Sequence, residues 1–463
     1  MLFLCVFVRF VFSQDGGVPD SEGTMSGGVA ETVINGLIAG AEVQLSNAFI
    51  LFYNIFYNKY VEEKEWAVPN RTSIRNNFTK SWEWDNEPFG VNQIGHPYQA
   101  SVYFSAGRVN NFGFYESMFF AAFGSSTWEI FYENEQSSIN DFITTTTSSL
   151  STGEILYRLY LEAYAAGVPA PLALFINPMA GIHRLITGWE PPDYGRRIYS
   201  LQVYSGGGFA KTRSSLLKDG RELLYLQRPF TEAGLSLIYG NPFEQESKTP
   251  FEHFELVIYI NTDFSNFMDI RANTDGYLFS FSPVYSDTDN MSTGLSLHWD
   301  IASKGKFGGE DSLFDQYSTG LDWTIKYQHL FSENTSLQVK FHTGATIMGV
   351  FFYYSPDLKE RENSYGAGIN SKLFVNLNNK MLGKIEMSTF GYMIWCYPGA
   401  GDLGLSKGNV YWLFADIAYS YPITNRFSIG IANSFLMEWG FFKSFPDTLK
   451  YNNAAKLFIA WNF

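Results

Sequence analysis

Hydrophobic and polar residues alternate with a period of two along most of the second half of the chain. In residues 315–328, Leu321 and Trp323 belong to an apolar parity, whereas Asp322 and Thr324 belong to a polar one. Because successive side chains of a strand point to opposite faces, this pattern predicts strands with one apolar and one polar face. A period of two begins after Arg196-Arg197 and continues to the end of the chain.

About twelve alternating segments follow that point, and most are about ten residues or longer, the length that crosses a bilayer at a tilt. They lie near 197–209, 228–240, 252–262, 268–283, 292–302, 315–330, 335–353, 364–377, 381–395, 409–421, 427–442 and 451–463. Strands of soluble sandwiches are about five or six residues long. An even number of strands permits closure, which leaves no edge exposed to lipid. The pattern therefore predicts a transmembrane antiparallel β-barrel of about 12 strands, with a large secreted β-sandwich as the alternative.

The connections between these segments alternate in length. Working back from the C-terminus, long connections such as 443–449 and 396–408 alternate with short ones such as 422–426 and 378–380. Outer-membrane barrels combine short periplasmic turns with longer external loops. The connection 241–250 breaks the pattern, since it is long where a short one is expected.

The chain before the barrel is divided into three parts. Residues 1–13 form a short apolar run that predicts a signal peptide, and residues 14–26 are expected to be a flexible lead-in. Residues 27–195 show periods of three and four, which predict a helical domain, and residues 196–463 are assigned to the barrel. The helices are expected to pack in or under the barrel lumen as a plug.

Composition narrows the class of protein. The chain has 43 Phe, 29 Tyr and 11 Trp among 463 residues and a formal net charge of −14. This aromatic content excludes disorder, and the acidic balance without basic clusters excludes nucleic acid as a partner. Beyond the N-terminus there is no uninterrupted apolar run of about 18 residues, which argues against a helical membrane protein. A single cysteine, Cys396, follows the signal segment, so no internal disulfide is expected.

The last segment ends in alternating apolar residues and a terminal aromatic residue. It resembles the C-terminal assembly signal of bacterial outer-membrane barrels, and its members are Tyr451, Leu457, Ile459, Trp461 and Phe463. The resemblance implies the outer-membrane barrel assembly machinery and outer-membrane lipid as partners, in the outer membrane of a Gram-negative cell.

The helical domain carries a series of spaced polar motifs. They are Gly95-His96-Pro97, Ala106-Gly107-Arg108, Trp128-Glu129 with Glu133, Ser138 with Asp141, and Gly153-Glu154. Over about residues 84–160 this series resembles an uncharacterised bacterial family, domain of unknown function 3943. The family implies no activity.

Chemistry in this region depends on one histidine and several carboxylates. His96, Glu129, Glu133 and Asp141 are the candidate catalytic residues, because an imidazole beside a carboxylate can act as a general base or acid. Glu129 and Glu133 are four residues apart, which predicts that they share one helix face. Arg108, Glu116 and Glu154 are expected to join them in an interior polar cluster. Each motif also has a structural interpretation: Ser138 as a helix cap, Glu154 with Arg158 as an ion pair, and His96 as a cap or core residue.

Two functions remain open at this point. The first is an outer-membrane barrel with a plug-like helical domain that serves a structural, binding or solute-passage role. The second is an outer-membrane hydrolase that acts on lipid or cell-envelope glycan through the candidate residues. Neither a metal site nor a cofactor is expected, and enzymatic activity stays open.

Overall fold

The structure is a computed structural model, and it describes residues 28–57, 68–85, 87–192, 195–218, 220–243, 246–263, 267–306, 314–355, 360–397, 408–443 and 446–463. The predicted signal peptide, 1–13, and lead-in, 14–26, lie outside the described residues. The chain divides into two compact units. The helical unit comprises the described parts of Met1–Glu83 and His96–Arg196, and the barrel unit comprises those of Trp84–Gly95 and Arg197–Phe463.

The helical unit confirms the predicted N-terminal helical fold. Its described residues form seven α-helices: α1 (Val29–Tyr57), α2 (Arg71–Thr79), α3 (His96–Val109), α4 (Phe114–Thr127), α5 (Ile139–Ala165), α6 (Ala170–Ala173) and α7 (Pro178–Thr187). A π-helical turn, Trp128–Tyr132, extends α4.

Side-chain caps fix where several of these helices begin. Asn70 accepts hydrogen bonds from the first-turn amides of α2, and Asn177 does the same for α7, which has Pro178 at its first position. Ser138 accepts from the Asp141 amide at the start of α5, so its predicted capping role is confirmed. Such caps satisfy amides that have no partner within the helix.

Helix α1 is the one described helix that is long and apolar enough to cross a membrane. A search for an uninterrupted apolar run of about 18 residues does not detect α1, because four residues interrupt it: Glu31, Gly36, Gly40 and Glu42. Only 17% of its most apolar window is buried. The absence of an uninterrupted apolar run of about 18 residues therefore holds, although α1 passes the test by its length and mean composition.

The barrel unit is a closed antiparallel barrel of twelve strands, as predicted. The strands are β1 (Ile198–Leu216), β2 (Glu222–Tyr239), β3 (Phe254–Thr262), β4 (Phe267–Tyr285), β5 (Asp289–Lys306), β6 (Phe314–Ser332), β7 (Thr335–Ser355), β8 (Glu360–Asn379), β9 (Gly383–Cys396), β10 (Gly408–Pro422), β11 (Phe427–Phe442) and β12 (Thr448–Asn462). Each pairs with its neighbours in sequence, and β1 pairs with β12 to close the ring. The connection between β2 and β3 is long, as the sequence indicated.

The two faces of each strand differ in polarity as the alternation predicts. Trp323 and Ile431 point outward and are exposed, whereas Asp322 and Thr324 point into the lumen and are fully buried. An even-stranded closed barrel with an apolar outer surface is the architecture of bacterial outer-membrane proteins. The chain is therefore an outer-membrane barrel.

A segment that precedes the barrel in sequence also belongs to the barrel unit. Within Trp84–Gly95, the Trp84 ring stacks on Tyr365 and Tyr397, at 5.2 and 5.4 Å between ring centroids. The Asn363 amide donates to the Glu87 carbonyl at 2.7 Å. These contacts bind the segment to β8.

Candidate functional site

The lumen of the barrel holds a network of paired charges. The alternating pattern puts five lysines on the inward parity and predicts that they meet carboxylates of the helices; they are Lys326, Lys340, Lys372, Lys384 and Lys456. The parity is confirmed, but these lysines pair with carboxylates of the barrel itself. Burying an amine requires a close partner. For Lys384 that partner is Glu386 on the same strand, and for the other four it is a carboxylate on a strand that is not an immediate neighbour.

Several of these polar contacts cross the lumen. Arg271 on β4 donates to Asp416 on β10 at 2.8 Å, although five strands lie between the two in either direction around the barrel. Gln316 on β6 donates to Glu438 on β11 at 2.7 Å. Such contacts tie opposite walls together and divide the lumen.

One side of the lumen is filled by an apolar and aromatic cluster. Its members are Phe314, Phe351, Phe390, Tyr392, Ile394, Val410, Trp412, Phe414 and Leu436, and all are buried. They lie on β6, β7, β9, β10 and β11, mostly toward the end of those strands that carries the connections 397–407 and 443–447. We call this set the aromatic cluster.

A cavity of about 320 Å³ occupies the remaining lumen. It reaches from Ser200 and Lys384, near the end of the barrel with the short turns, to Asp269 and Lys304, near the opposite ends of β4 and β5. Four members of the aromatic cluster, Phe314, Phe390, Phe414 and Leu436, form part of its wall. The cavity thus follows most of the length of the strands.

Charges of both signs line this cavity. Lys456 pairs with Glu232 and its amine lies 4.8 Å from the centre of the Tyr259 ring. At the Asp269 end, Lys304 and Arg228 both contact Asp269 at 3.0 Å. Paired charges of this kind offer donors and acceptors to a polar solute without a net field of one sign.

Two histidines extend the charge network into the wall of β4–β7. His342 Nδ1 lies 2.9 Å from Asp275 Oδ2, and His298 Nδ1 lies 3.0 Å from Asp322 Oδ2. Asp275, Asp322 and His342 offer three ligand atoms within 4.8 Å of one another. The Lys326 amine, at 3.5 Å from Asp275, already supplies positive charge there. An added cation would meet repulsion from that amine.

The helical unit contains its own buried ion cluster. Glu154 lies between Arg108 and Arg158, with Arg108 Nε 3.0 Å from Glu154 Oε2 and Arg158 Nε 2.8 Å from Glu154 Oε1. The Glu154 side chain is fully buried. The sequence interpretation of Glu154 and Arg158 as an ion pair is confirmed, and Arg108 joins that pair.

His96 and Asp141 form a second pair of candidate residues. His96 Nε2 lies 3.9 Å from Asp141 Oδ2, and both side chains are buried. The π-helical turn Val91–Gly95 directly precedes His96, so His96 does not stand at a free helix start. A wide turn at this point accommodates Pro97, which lacks an amide hydrogen.

The expectation that Glu129 and Glu133 share one helix face is wrong. The π-helical turn ends at Tyr132, and Glu133 has extended backbone. Glu129 accepts a hydrogen bond from the Ser138 amide at 2.7 Å, whereas Glu133 binds the Trp128 indole.

The remaining polar residues of the helical unit serve local roles. Glu116 accepts from the Gly113 amide at 2.8 Å and so caps α4. Tyr103 donates to Asn47, and burial raises the pKa of its phenol well above the ordinary value. The catalytic role of His96, Glu129, Glu133 and Asp141 stays a prediction.

The residues of the predicted assembly signal lie on β12. Leu457, Ile459 and Trp461 point outward and are exposed, and the Phe463 amide donates to the Leu201 carbonyl at 3.0 Å. Recognition by the assembly machinery stays a prediction.

The sequence did not single out the lumen carboxylates and Arg271. The alternating pattern could have identified them, because each lies at an inward position of a predicted strand. Their partners could not be predicted, since contacts such as Arg271 with Asp416 depend on the order and curvature of all twelve strands.

Residues 81–178 match the family model described as a domain of unknown function (DUF3943), which confirms the resemblance of this segment. Among solved structures, the chain is similar to an outer membrane channel from Pseudomonas putida F1, at 9% identity over 59% of this chain and 99% of that one, with a TM-score of 0.31. It is also similar to the P. putida toluene transporter TodX, at 8% identity over 59% of this chain and 90% of that one, with a TM-score of 0.25. A third similar structure is the outer membrane protease OmpT from Escherichia coli, at 7% identity over 58% of this chain and 99% of that one, with a TM-score of 0.22. No curated protein sequence matches the chain.

Proposed function

We propose that the barrel is a narrow outer-membrane channel that binds and passes small polar solutes. The observation that supports this best is the lumen cavity, which follows most of the strand length and is lined by paired charges. Its volume is at the lower end of known ligand pockets, so large solutes are excluded.

The cavity also indicates the kind of solute. Basic side chains such as Lys384 and Lys456 face acidic ones such as Glu232 and Glu386. Aromatic rings of Tyr204 and Tyr259 lie between them, 6.0 Å apart. These side chains would replace the water around a small solute that has hydrogen-bond donors and acceptors and charges of both signs. An amino acid is such a solute.

Passage is tested by swelling of proteoliposomes that contain the full-length protein. We expect swelling with glycine and little with a trisaccharide. Ser236→Trp places a bulky side chain in the cavity and should abolish glycine entry, whereas Leu235→Trp, on the outward parity, should not. Equal entry through both variants would contradict the proposal.

We propose further that the helical unit controls this channel as a plug or gate. The supporting observation is the segment Trp84–Gly95, which belongs to the matched family region and yet binds β8 of the barrel. Replacing Trp84 by Ala removes the stacking on Tyr365 and should change the frequency of channel opening but not the conductance of the open channel. Unchanged opening would contradict the gate.

A hydrolase is a second candidate function. The observation that favours it is the approach of His96 to Asp141 at 3.9 Å inside the helical unit. The purified protein would be assayed on phospholipid and on envelope glycan, with His96→Asn and Glu31→Gln as test and control variants. Turnover that His96→Asn removes and Glu31→Gln retains would establish the hydrolase, and no turnover by the wild type would reject it.

A further inference from the structure

The longest helix of the helical unit turns its apolar side outward. Leu45, Phe49 and Phe52 of α1 follow each other at spacings of four and three residues, and they are 69%, 70% and 69% exposed. Spacings of three and four place these side chains along one face of the helix. An exposed stripe of this kind costs free energy in water.

The covered side of α1 carries small or polar residues, namely Thr32, Ala39, Val43 and Asn47. Asn47 is fully buried and donates to the Gly124 carbonyl at 3.2 Å. Glu42 lies 2.6 Å from the His183 ring, which joins α1 to α7. The large apolar side chains of α1 are therefore exposed, whereas in a soluble domain they would lie on the covered face.

The region around α6 and α7 adds to the exposed apolar surface. Phe175 and Ile186 are 83% and 78% exposed, and Leu172 and Leu185 are also exposed. On α7 itself, Leu185 and Ile186 face outward, whereas the covered residues are Met179, Ala180, Gly181 and His183. Two separate parts of the unit thus expose large apolar side chains.

The interior of the unit holds many polar residues beside an apolar core that includes Val109, Tyr157 and Leu161. Helix α5 buries Asp141, Ser148, Ser149, Glu154 and Arg158 against its neighbours. Polar and charged residues of membrane proteins face the bundle interior, where they pair with one another. Buried, mutually paired polar residues below an apolar surface are a feature expected of helices in contact with lipid.

We propose that this apolar surface of α1, α6 and α7 binds the hydrocarbon of a lipid bilayer. Helix α1 has 29 residues, more than the about 20 that span a bilayer core. It carries only two charged residues, Glu31 and Glu42, and Glu42 is held by His183.

Lipid explains the surface better than a second copy of the chain does. A partner protein covers one stripe of a helix, whereas exposed residues of α1 also include Val33 and Leu37, on a different side from Phe49. Acyl chains adapt to such a broad convex surface. The chain is moreover already held at a bilayer by its barrel, so lipid is present at high local concentration.

The test uses fluorescence of the full-length protein in proteoliposomes. Cys5 and Cys396 are replaced by Ser, and an NBD fluorophore is attached to Phe52→Cys or, as a control, to Thr72→Cys, which is exposed on α2. We expect lipids brominated on their acyl chains to remove more than half of the emission at position 52 and little at position 72. Aqueous iodide should show the opposite order.

Two results would overturn the proposal. Strong quenching by iodide at position 52 means that water covers α1, and quenching by neither agent means that protein covers it, whether another segment or a second copy. Phe49→Cys is the second labelling position if Phe52→Cys fails to fold, as judged by the heat-dependent gel mobility of the barrel. Glycine swelling of the same proteoliposomes reports the channel separately, so failure of one proposal is distinguishable from failure of the other.

Discussion

The Arg271 guanidinium on β4 donates to the Asp416 carboxylate on β10 at 2.8 Å across the full width of the lumen. The guanidinium also lies over the Phe390 and Phe414 rings, at 5.0 and 5.1 Å from their centres. One residue therefore connects the charged wall of the cavity to the aromatic cluster. This contact narrows the cavity, which is why the proposed channel is restricted to small solutes.

The lipid-facing assignment is tested by two adjacent substitutions on β10. Ile417 is 50% exposed on the outer face, whereas Ala418 points into the cavity. Ile417→Lys should reduce the free energy of unfolding by about 2–4 kcal/mol, because a charge near mid-strand enters lipid. Ala418→Lys should change it little, since it places an amine across from Glu386. Urea unfolding of both variants in vesicles measures the difference. Equal losses of the free energy of unfolding would contradict the assignment of Ile417 to the outer face and Ala418 to the inner face.

The alternating pattern alone would suggest the same test with Trp323→Lys as the damaging substitution and Thr324→Lys as the nearly neutral one. Parity correctly places Trp323 outside and Thr324 inside. The structure shows that Thr324 is fully buried and bound to His342 at 2.8 Å, so a lysine there would not be neutral. Alternation predicts which face a residue takes, but how tightly the lumen is packed at that depth depends on side chains from non-neighbouring strands.

The buried ion cluster of the helical unit predicts a large effect. Glu154→Gln leaves the Arg108 and Arg158 guanidinium groups beside each other without the shared carboxylate. Breaking a buried pair typically costs about 3–5 kcal/mol. Thermal unfolding followed by circular dichroism should show this loss, whereas Glu31→Gln, at an exposed position, should leave the transition unchanged. If Glu154→Gln unfolds at the same temperature as the wild type, the ion cluster does not contribute to the stability of the helical unit.

Close packing of α3 against α5 depends on Gly153. A Cβ at this position would lie 2.8 Å from the Phe104 side chain, so Gly153→Ala should destabilise the unit by about 1–3 kcal/mol. Gly40→Ala on α1 meets nothing within 4 Å and should stabilise the helix by up to about 1 kcal/mol. The same thermal measurement distinguishes the two. Stabilisation by Gly153→Ala would contradict the packing.

The sequence predicted the barrel far better than the helical site. A period of two is repeated in every strand, so the strand number, the faces and the inward lysines could be predicted. The relation of Glu129 to Glu133 could not, because the π-helical turn Trp128–Tyr132 changes the spacing that a regular helix would give. The approach of His96 to Asp141 likewise depends on how α3 packs on α5, which no local pattern encodes.

The most direct test of the proposed channel is conductance of the full-length protein in planar bilayers. The wild type should show small unitary steps, and Arg271→Ala should at least double them, because it removes the contact with Asp416 that divides the lumen. Arg213→Ala, which removes an ion pair with Glu222 outside the cavity, is the control and should leave the steps unchanged. Absence of conductance in both the wild type and Arg271→Ala would contradict the account.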